Sequence, residues 1–260
     1  MIRKAIETII WILAGAGVIL LLSFSKKNHN QTTCNDLSIH IDYPGSDTLL
    51  RPDQLRKLLQ SQCGEFKGKT VNSFDFVRIN KVLGGLGQVV QTGAYSDMEG
   101  TLHIYVRQRE PIMRVYTQSQ KDYYADPDGI LFRAPAGNAG HVIIANGHIP
   151  DIETKGKSLI SIDTLRNGEL IRNIFLLYEK IQNNTLLNPM IEQIYITEKQ
   201  EVELIPKVGR QVIIFGSFRD MEEKIIKLEN FYRQGMMKEG WDKYKSINLK
   251  FKDQIVCSKM

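Results

Sequence analysis

The chain has 260 residues, 42% of them hydrophobic and 24% charged, a composition ordinary for a globular protein of one or two cored domains. Its net charge of +5 comes from basic residues spread along the chain. That excess fits nucleic acid, an anionic membrane or an acidic protein and selects none of them, and no aromatic–basic RNA motif is present, so no nucleic-acid partner is expected.

Arg3 and Lys4 precede an apolar run, Ala5–Ser25, whose only charge is Glu7 and which Lys26 and Lys27 close. At ~1.5 Å per residue such a helix spans roughly 30 Å, the thickness of a bilayer's hydrocarbon core. Trp11 and Phe24 suit the two interfaces. The expectation is a retained single-span anchor over residues 1–26 with its tip in the cytoplasm and the bulk of the chain on the far side. A cleaved signal peptide is the alternative, because Ser23-Phe-Ser25 is a tolerable small-x-small site, but the run exceeds the usual ~7–15 residue signal core. Residues 27–36 are polar, lack apolar periodicity and read as a stalk.

The first folded block reads β-α-α-β-β. Leu37, Ile39, Ile41 and Tyr43 alternate with polar residues as in a half-buried strand, stopped by Pro44-Gly45. Pro52 opens a helix with Leu55, Leu58 and Leu59 on one face, and Gly64 ends it. Asn72 or Ser73 is expected to cap a second helix with Phe76, Ile79 and Leu83 inward, broken at Gly84-Gly85. Gln88–Tyr95 then forms a hairpin with Thr101–Arg107 through the turn Asp97–Gly100.

Arg107 to Pro111 interrupts the strand pattern. Pro111 removes a backbone donor and pushes its predecessor toward an extended conformation, so Arg107, Arg109 and Pro111 mark either a domain seam or an ordinary loop. Beyond them lie strands near Ile112–Thr117, Tyr123–Asp126, Ile130–Phe132, Val142–Ala145, Ile191–Thr197, Glu201–Ile205 and Gln211–Phe215. Amphipathic helices are expected over Leu165–Gln182 and Arg219–Gln234, and two closing strands near Lys245–Lys252 and Gln254–Ser258. The order suits an α+β domain with an extended, mainly antiparallel sheet.

Catalytic chemistry is thin. His29, His40, His103, His141 and His148 show no paired metal-ligand spacing. Gly84–Gly87 follows a helix and precedes a strand, the reverse of a phosphate loop. Asp126-Pro-Asp-Gly129 lacks the later ligands of a calcium loop and reads as a hairpin turn. No G-x-S-x-G elbow is present. Asn183-Asn-Thr185 matches a glycosylation acceptor by a pattern common by chance. No enzyme activity, metal or cofactor is expected. Cys34 and Cys63 would close a loop worth ~3–4 kcal/mol if bridged on an oxidising side of the membrane; the alternative is three unpaired thiols with Cys257.

The order β-α-α-β-β beside an apolar anchor resembles a POTRA domain. "EGTLHIYVRQREPIMRVY" is similar to the domain junction of the bacterial cell-division family FtsQ (DivIB), "YYADPDGILF" to that family's Y-Y-x-D-x-x-G hairpin, "VIIANG" to its next strand and "INLKFKDQIVC" to its final strands. One departure is Leu131-Phe132-Arg133-Ala134-Pro135 where a Met-Pro is expected after the turn glycine. The resemblance implies a POTRA domain over residues 37–110, a C-terminal β domain over 111–260, and a non-enzymatic inner-membrane scaffold of the septum. Its partners would be FtsB-like and FtsL-like single-span proteins and the septal peptidoglycan synthases they regulate. The alternative is a POTRA-bearing outer-membrane assembly or secretion factor. By the same resemblance, Phe251, Lys252, Asp253, Gln254, Ile255, Val256 and Cys257 would take up FtsB by strand addition, with Lys250 selecting charge. Gln88, Val89 and Val90, within Gln88–Ala94, would form a second docking strand.

Overall fold

The computed structural model describes residues 11–19, 32–135, 140–166, 168–236 and 243–259. The expected anchor falls mostly outside this set. Residues 11–19 of it are helical, with Trp11, Ile12 and Leu13 exposed. Among the described residues no helix is long and apolar enough to cross a membrane. The chain divides into two compact units, one of residues up to Asp42 plus Leu50–Gln108, the other of Tyr43–Leu49 plus Arg109–Met260.

The first unit contains β1 (Asp36–Asp42), α1 (Pro52–Cys63), a 3-10 turn (Val71–Ser73), α2 (Phe76–Gly84), β2 (Val89–Ser96) and β3 (Thr101–Gln108). β3 lies between the other two strands, parallel to β1 and antiparallel to β2. Alternation in β3 sends Leu102, Ile104 and Val106 into one core with Leu37 and Ile41 of β1, Leu55 and Leu59 of α1, and Ile79 and Leu83 of α2. Tyr43 lies past the end of β1 and is exposed. Pro52 opens α1, and Gly64, at φ +83°, closes it. The cap of α2 differs from expectation: Asn72 and Ser73 belong to the 3-10 turn, and the Asp75 carboxylate accepts the Arg78 N–H at 2.9 Å. Asp75 wins because it alone stands directly before the first helical residue. The hairpin turn is held by Asp97, whose Oδ1 accepts the N–H groups of Glu99 (3.0 Å) and Thr101 (2.8 Å). Cys34 and Cys63 are both free thiols, as is Cys257.

The second unit contains β4 (Met113–Tyr116), β5 (Asp122–Ala125), β6 (Ile130–Arg133), β7 (Ile143–Gly147), β8 (Leu159–Ser161), α3 (Glu169–Gln182), β9 (Ile191–Ile196), β10 (Val202–Pro206), β11 (Val212–Gly216), α4 (Met221–Phe231), β12 (Tyr244–Asn248) and β13 (Val256–Lys259). They form one ten-stranded sheet in the order β13-β12-β11-β10-β9-β7-β4-β5-β6-β8. Three pairings are parallel, β4/β7, β7/β9 and β11/β12, so the sheet is mixed and mostly antiparallel. Ile171, Ile174, Leu177 and Ile181 of α3 and Ile225 and Leu228 of α4 share a continuous core with Val115, Ala145, Ile194, Leu204, Ile213 and Ile247 of the strands. Leu49 packs separately with Tyr124 and Phe132.

Several boundaries move. α3 begins at Glu169, because Ile162–Thr164 forms a 3-10 turn and Gly168 stands at the cap. α4 begins at Met221, because Asp220 is left-handed at φ +54°, and it passes at Tyr232 into a π turn. The closing strands are shorter than the apolar alternation implies. The Asn248 side chain accepts the Lys250 N–H at 3.0 Å and turns the chain, while the Leu249 N–H goes to Ile214 O at 2.9 Å. β12 therefore stops at Asn248.

Gly147 lies in a position only glycine fits. Its φ is +95°, and a Cβ there would stand 2.2 Å from the Ile196 carbonyl oxygen across the β7/β9 pair. Gly147→Ala is expected to destabilise the second unit by at least about 1–2 kcal/mol from the left-handed backbone alone. A urea melt that matches wild type would show that the two strands can part there without cost.

Candidate partner-binding edges

Among the described residues, each sheet has edges whose backbone groups lack a second strand. In the large sheet these are β13 and β8; in the small one, β1 and β2. Such an edge is where an extended segment can add.

Among the described residues β13 pairs only with β12, Ile247 opposite Cys257 and Asn248 opposite Val256. Of the residues expected to bind a partner as a strand, only Val256 and Cys257 lie in one. Phe251, Lys252 and Asp253 form a bend, and Gln254 and Ile255 an irregular link. Val256 is 42% exposed and Phe251 46%. Ile255 and Cys257 pack against the core, and burial pushes the Cys257 thiol up from its usual range. Lys250 is ion-paired within the chain, its Nζ meeting both oxygens of Glu201 at 2.9 and 3.0 Å. Lys252 is exposed.

The bend itself is gripped from α4. Lys227 Nζ donates to the carbonyls of Phe251 (2.7 Å) and Lys252 (2.9 Å). One turn earlier, Lys224 lies buried, donating to Ser217 O at 2.7 Å with its ammonium 5.0 Å from the Phe215 ring centre. Burial pushes its pKa below the ordinary lysine range. Sequence reasoning missed Glu201 and Lys227. Each is one charge among many on a polar face, and its partner is distant in the chain. Lys227→Met is expected to speed hydrogen exchange across residues 249–255 several-fold while changing global stability by no more than about 1 kcal/mol, the scale of an exposed charge-assisted contact. Unchanged exchange there would mean the bend holds itself.

At the other edge, Gln88 precedes β2, Val89 is buried in the core, and Val90 is 55% exposed. Pairing with β3 is irregular between Val89 and Gln91, so Val90 sits in a bulge. Val89 turns its side chain into the core, so a strand added there would meet only its backbone.

The three junction residues separate into distinct roles. Arg107, next to last in β3, is an exposed side chain 3.6 Å from Asp42. Arg109 is buried, ion-paired to Asp126 and placed 5.8 Å from the Phe132 ring centre. Pro111 is buried, and the Ile112 N–H opens the next ladder by donating to Ala125 O at 2.9 Å. Asp126 also closes the β5–β6 turn, its Oδ1 accepting from Asp128 N (3.0 Å) and Ile130 N (2.7 Å).

A cleft of about 450 Å³ in the second unit is lined by Asp47, Glu110, His141, Tyr178, Glu192 and Lys207 among others. Burial and the nearby Glu110 charge push the Tyr178 hydroxyl up to about 12. Among the described residues no three His, Cys, Asp or Glu side chains are grouped to hold a metal.

A family model described as FtsQ/DivIB, C-terminal related matches residues 110–258, more than half of the chain. The chain belongs to this family. The match runs from the residue after Arg109 into β13, so all of the ten-stranded sheet except Lys259 lies within it. Membership gives the chain a role in cell division, within a family of non-enzymatic proteins of the divisome. No curated protein matches the sequence.

Proposed function

We propose that the protein is a membrane-anchored scaffold of the divisome that recruits FtsB-like and FtsL-like single-span proteins and links them to septal peptidoglycan synthesis. Its first unit acts as a POTRA domain, and Ala5–Ser25 holds it in the inner membrane with the folded units in the periplasm. The observation that carries this reading is family membership over the very strands that end in the edge β13. β13 takes up a strand of the FtsB-like partner; main-chain bonds supply affinity, and Lys252 beside it favours an acidic segment. β2 is a second docking strand, for another division protein.

The test is co-purification of the full chain with FtsB-like and FtsL-like proteins from the same cells. Retention of both, and loss of both on removing Gln254–Met260 from a protein whose remaining fold is intact, is the expected result. Equal retention by the truncated chain would place the partner elsewhere. The anchor has its own check: a reporter active only in the periplasm, fused after Met260, is expected to be active on a protein whose N-terminus remains near Met1. An N-terminus at Lys26 would identify a cleaved signal peptide instead.

A further inference from the structure

The small sheet buries Leu102, Ile104 and Val106 on one face. The opposite face carries rings in register. Strand pairing sets Ser38, His103 and Tyr95 in one row across β1, β3 and β2, then His40, Tyr105 and Gly93, then Asp42, Arg107 and Gln91. In the first row Tyr95 and His103 stack with ring centres 4.9 Å apart and planes 16° from parallel. The Asp97 carboxylate holds that imidazole at 2.8 Å. In the second row His40 and Tyr105 stack at 5.7 Å and 19°, and the Tyr105 hydroxyl donates to Asp42 at 3.3 Å.

The second row then stops. Its third member is Gly93, on the edge strand, where a Cβ would meet no atom within 4 Å. Nothing in the backbone asks for glycine here. Gly93 is not among the residues with positive φ, and the irregular register lies elsewhere in β2, between Val89 and Gln91. A strand-interior glycine without such a cause forfeits packing and β propensity. It also leaves no side chain directly beside Tyr105 in this row on β2.

We propose that the edge of β2 takes up an extended peptide segment bearing an aromatic residue opposite Gly93, whose ring lies across the glycine and continues the His40–Tyr105 stack. The inference rests on the reading of β2 as a docking strand and adds the chemistry of its partner. Adjacent strands lie about 4.8 Å apart, so a residue on the added strand stands about two strand spacings from Tyr105. A ring leaning over bare backbone spans that distance and reaches the ~4.5–7 Å separation of stacked aromatic pairs; a short aliphatic side chain does not. Cross-strand pairing of an aromatic with a glycine is a known way of covering such a gap. The exposed Val90 and Tyr95 flank the position along the strand.

The full chain in detergent micelles is titrated against fluorescein-labelled octapeptides, Thr-Val-Thr-X-Thr-Val-Thr-Lys, with X as Trp, Tyr, Leu or Ala. Amide exchange of β2 is followed by mass spectrometry. The Trp and Tyr peptides are expected to bind at least about tenfold more tightly than the Ala peptide, with the Leu peptide nearer to Ala, and to slow exchange in β2. Gly93→Val fills the gap with a side chain that the strand accommodates. It is expected to leave the melting temperature unchanged or higher and to erase the aromatic preference; Tyr105→Leu is a second route to the same loss. Equal binding by all four peptides, with protection of β2, would overturn the aromatic pocket while leaving the docking strand intact. Failure of every peptide to protect β2 would overturn both. Protection by an N-acetylglucosamine oligomer in place of the peptides would overturn the proposal in favour of a sugar-stacking face.

Discussion

Asp126→Asn is expected to lower the stability of the second unit by about 3–5 kcal/mol, the range for breaking a buried ion pair by removing one partner. The side chains of Arg109 and Asp126 are 9% and 3% exposed, so little water replaces the lost carboxylate. Asparagine still presents an oxygen to Asp128 N and Ile130 N, and the β5–β6 turn keeps its acceptor. Asp126→Ala removes counter-charge and acceptor together and is expected to cost more. The comparison that isolates burial is Asp122→Asn. Asp122 pairs with Arg114, Nε to Oδ1 at 2.9 Å, but is 26% exposed, and its loss is expected to cost clearly less. Urea unfolding read by a probe in the second unit measures all three. An Asp126→Asn protein within about 1 kcal/mol of wild type would mean that the site rehydrates, and that the pair is no keystone of the fold.

That site also shows how far the sequence could be read. The turn at Asp126–Gly129 was legible because an Asp-Pro-Asp-Gly run has a local mechanism: the first carboxylate accepts nearby N–H groups, and Gly129 takes a positive φ of 69°. The alternation Leu102, Ile104, Val106 was legible because one face is buried along its whole length. Ile247, Leu249 and Phe251 carry the same alternation, and there it misled. Leu249 is buried but leaves the strand, and Phe251 is exposed on the bend. The turning agent is the Asn248 side chain, whose hydrogen bond to Lys250 no periodicity registers. β8 escaped notice because three residues are too few to alternate. The grouping of Tyr43–Leu49 with the second unit, and Leu49 against Tyr124 and Phe132, depends on contacts between residues far apart in the chain. The same holds for Lys250 and Glu201. Local chemistry showed that Lys250 was a charge beside a strand; only the fold shows that the charge is already matched within the chain.

The largest functional effect is expected from proline in β13. Deleting the strand is a blunt instrument, since it strips β12 of one of its two partners and creates a new edge there. Point substitutions separate the two sides. In an antiparallel ladder, successive residues aim their N–H groups alternately at the paired strand and away from it. Val256 and Cys257 are adjacent and both in register with β12, so Val256→Pro and Cys257→Pro remove donors on opposite sides. Amide exchange in the wild type identifies the inward donor as the protected one. The outward proline leaves the β12 ladder whole, as edge-strand prolines do. It is expected to weaken the FtsB-like partner by about tenfold or more, one to two main-chain bonds being worth about 1.4 kcal/mol or above, with no fall in melting temperature. The inward proline is expected to loosen the β12–β13 pair and lower protection there. Charge then divides the same way. Lys252→Glu, on an exposed residue, is expected to slow association in a manner that salt masks, because such charges are screened over about 8 Å at physiological ionic strength. Lys250→Glu instead sets two carboxylates together at Glu201, and its expected effect is local destabilisation. If both proline proteins fold and hold the partner as tightly as wild type, strand addition at β13 is wrong and the partner sits on another surface of the sheet.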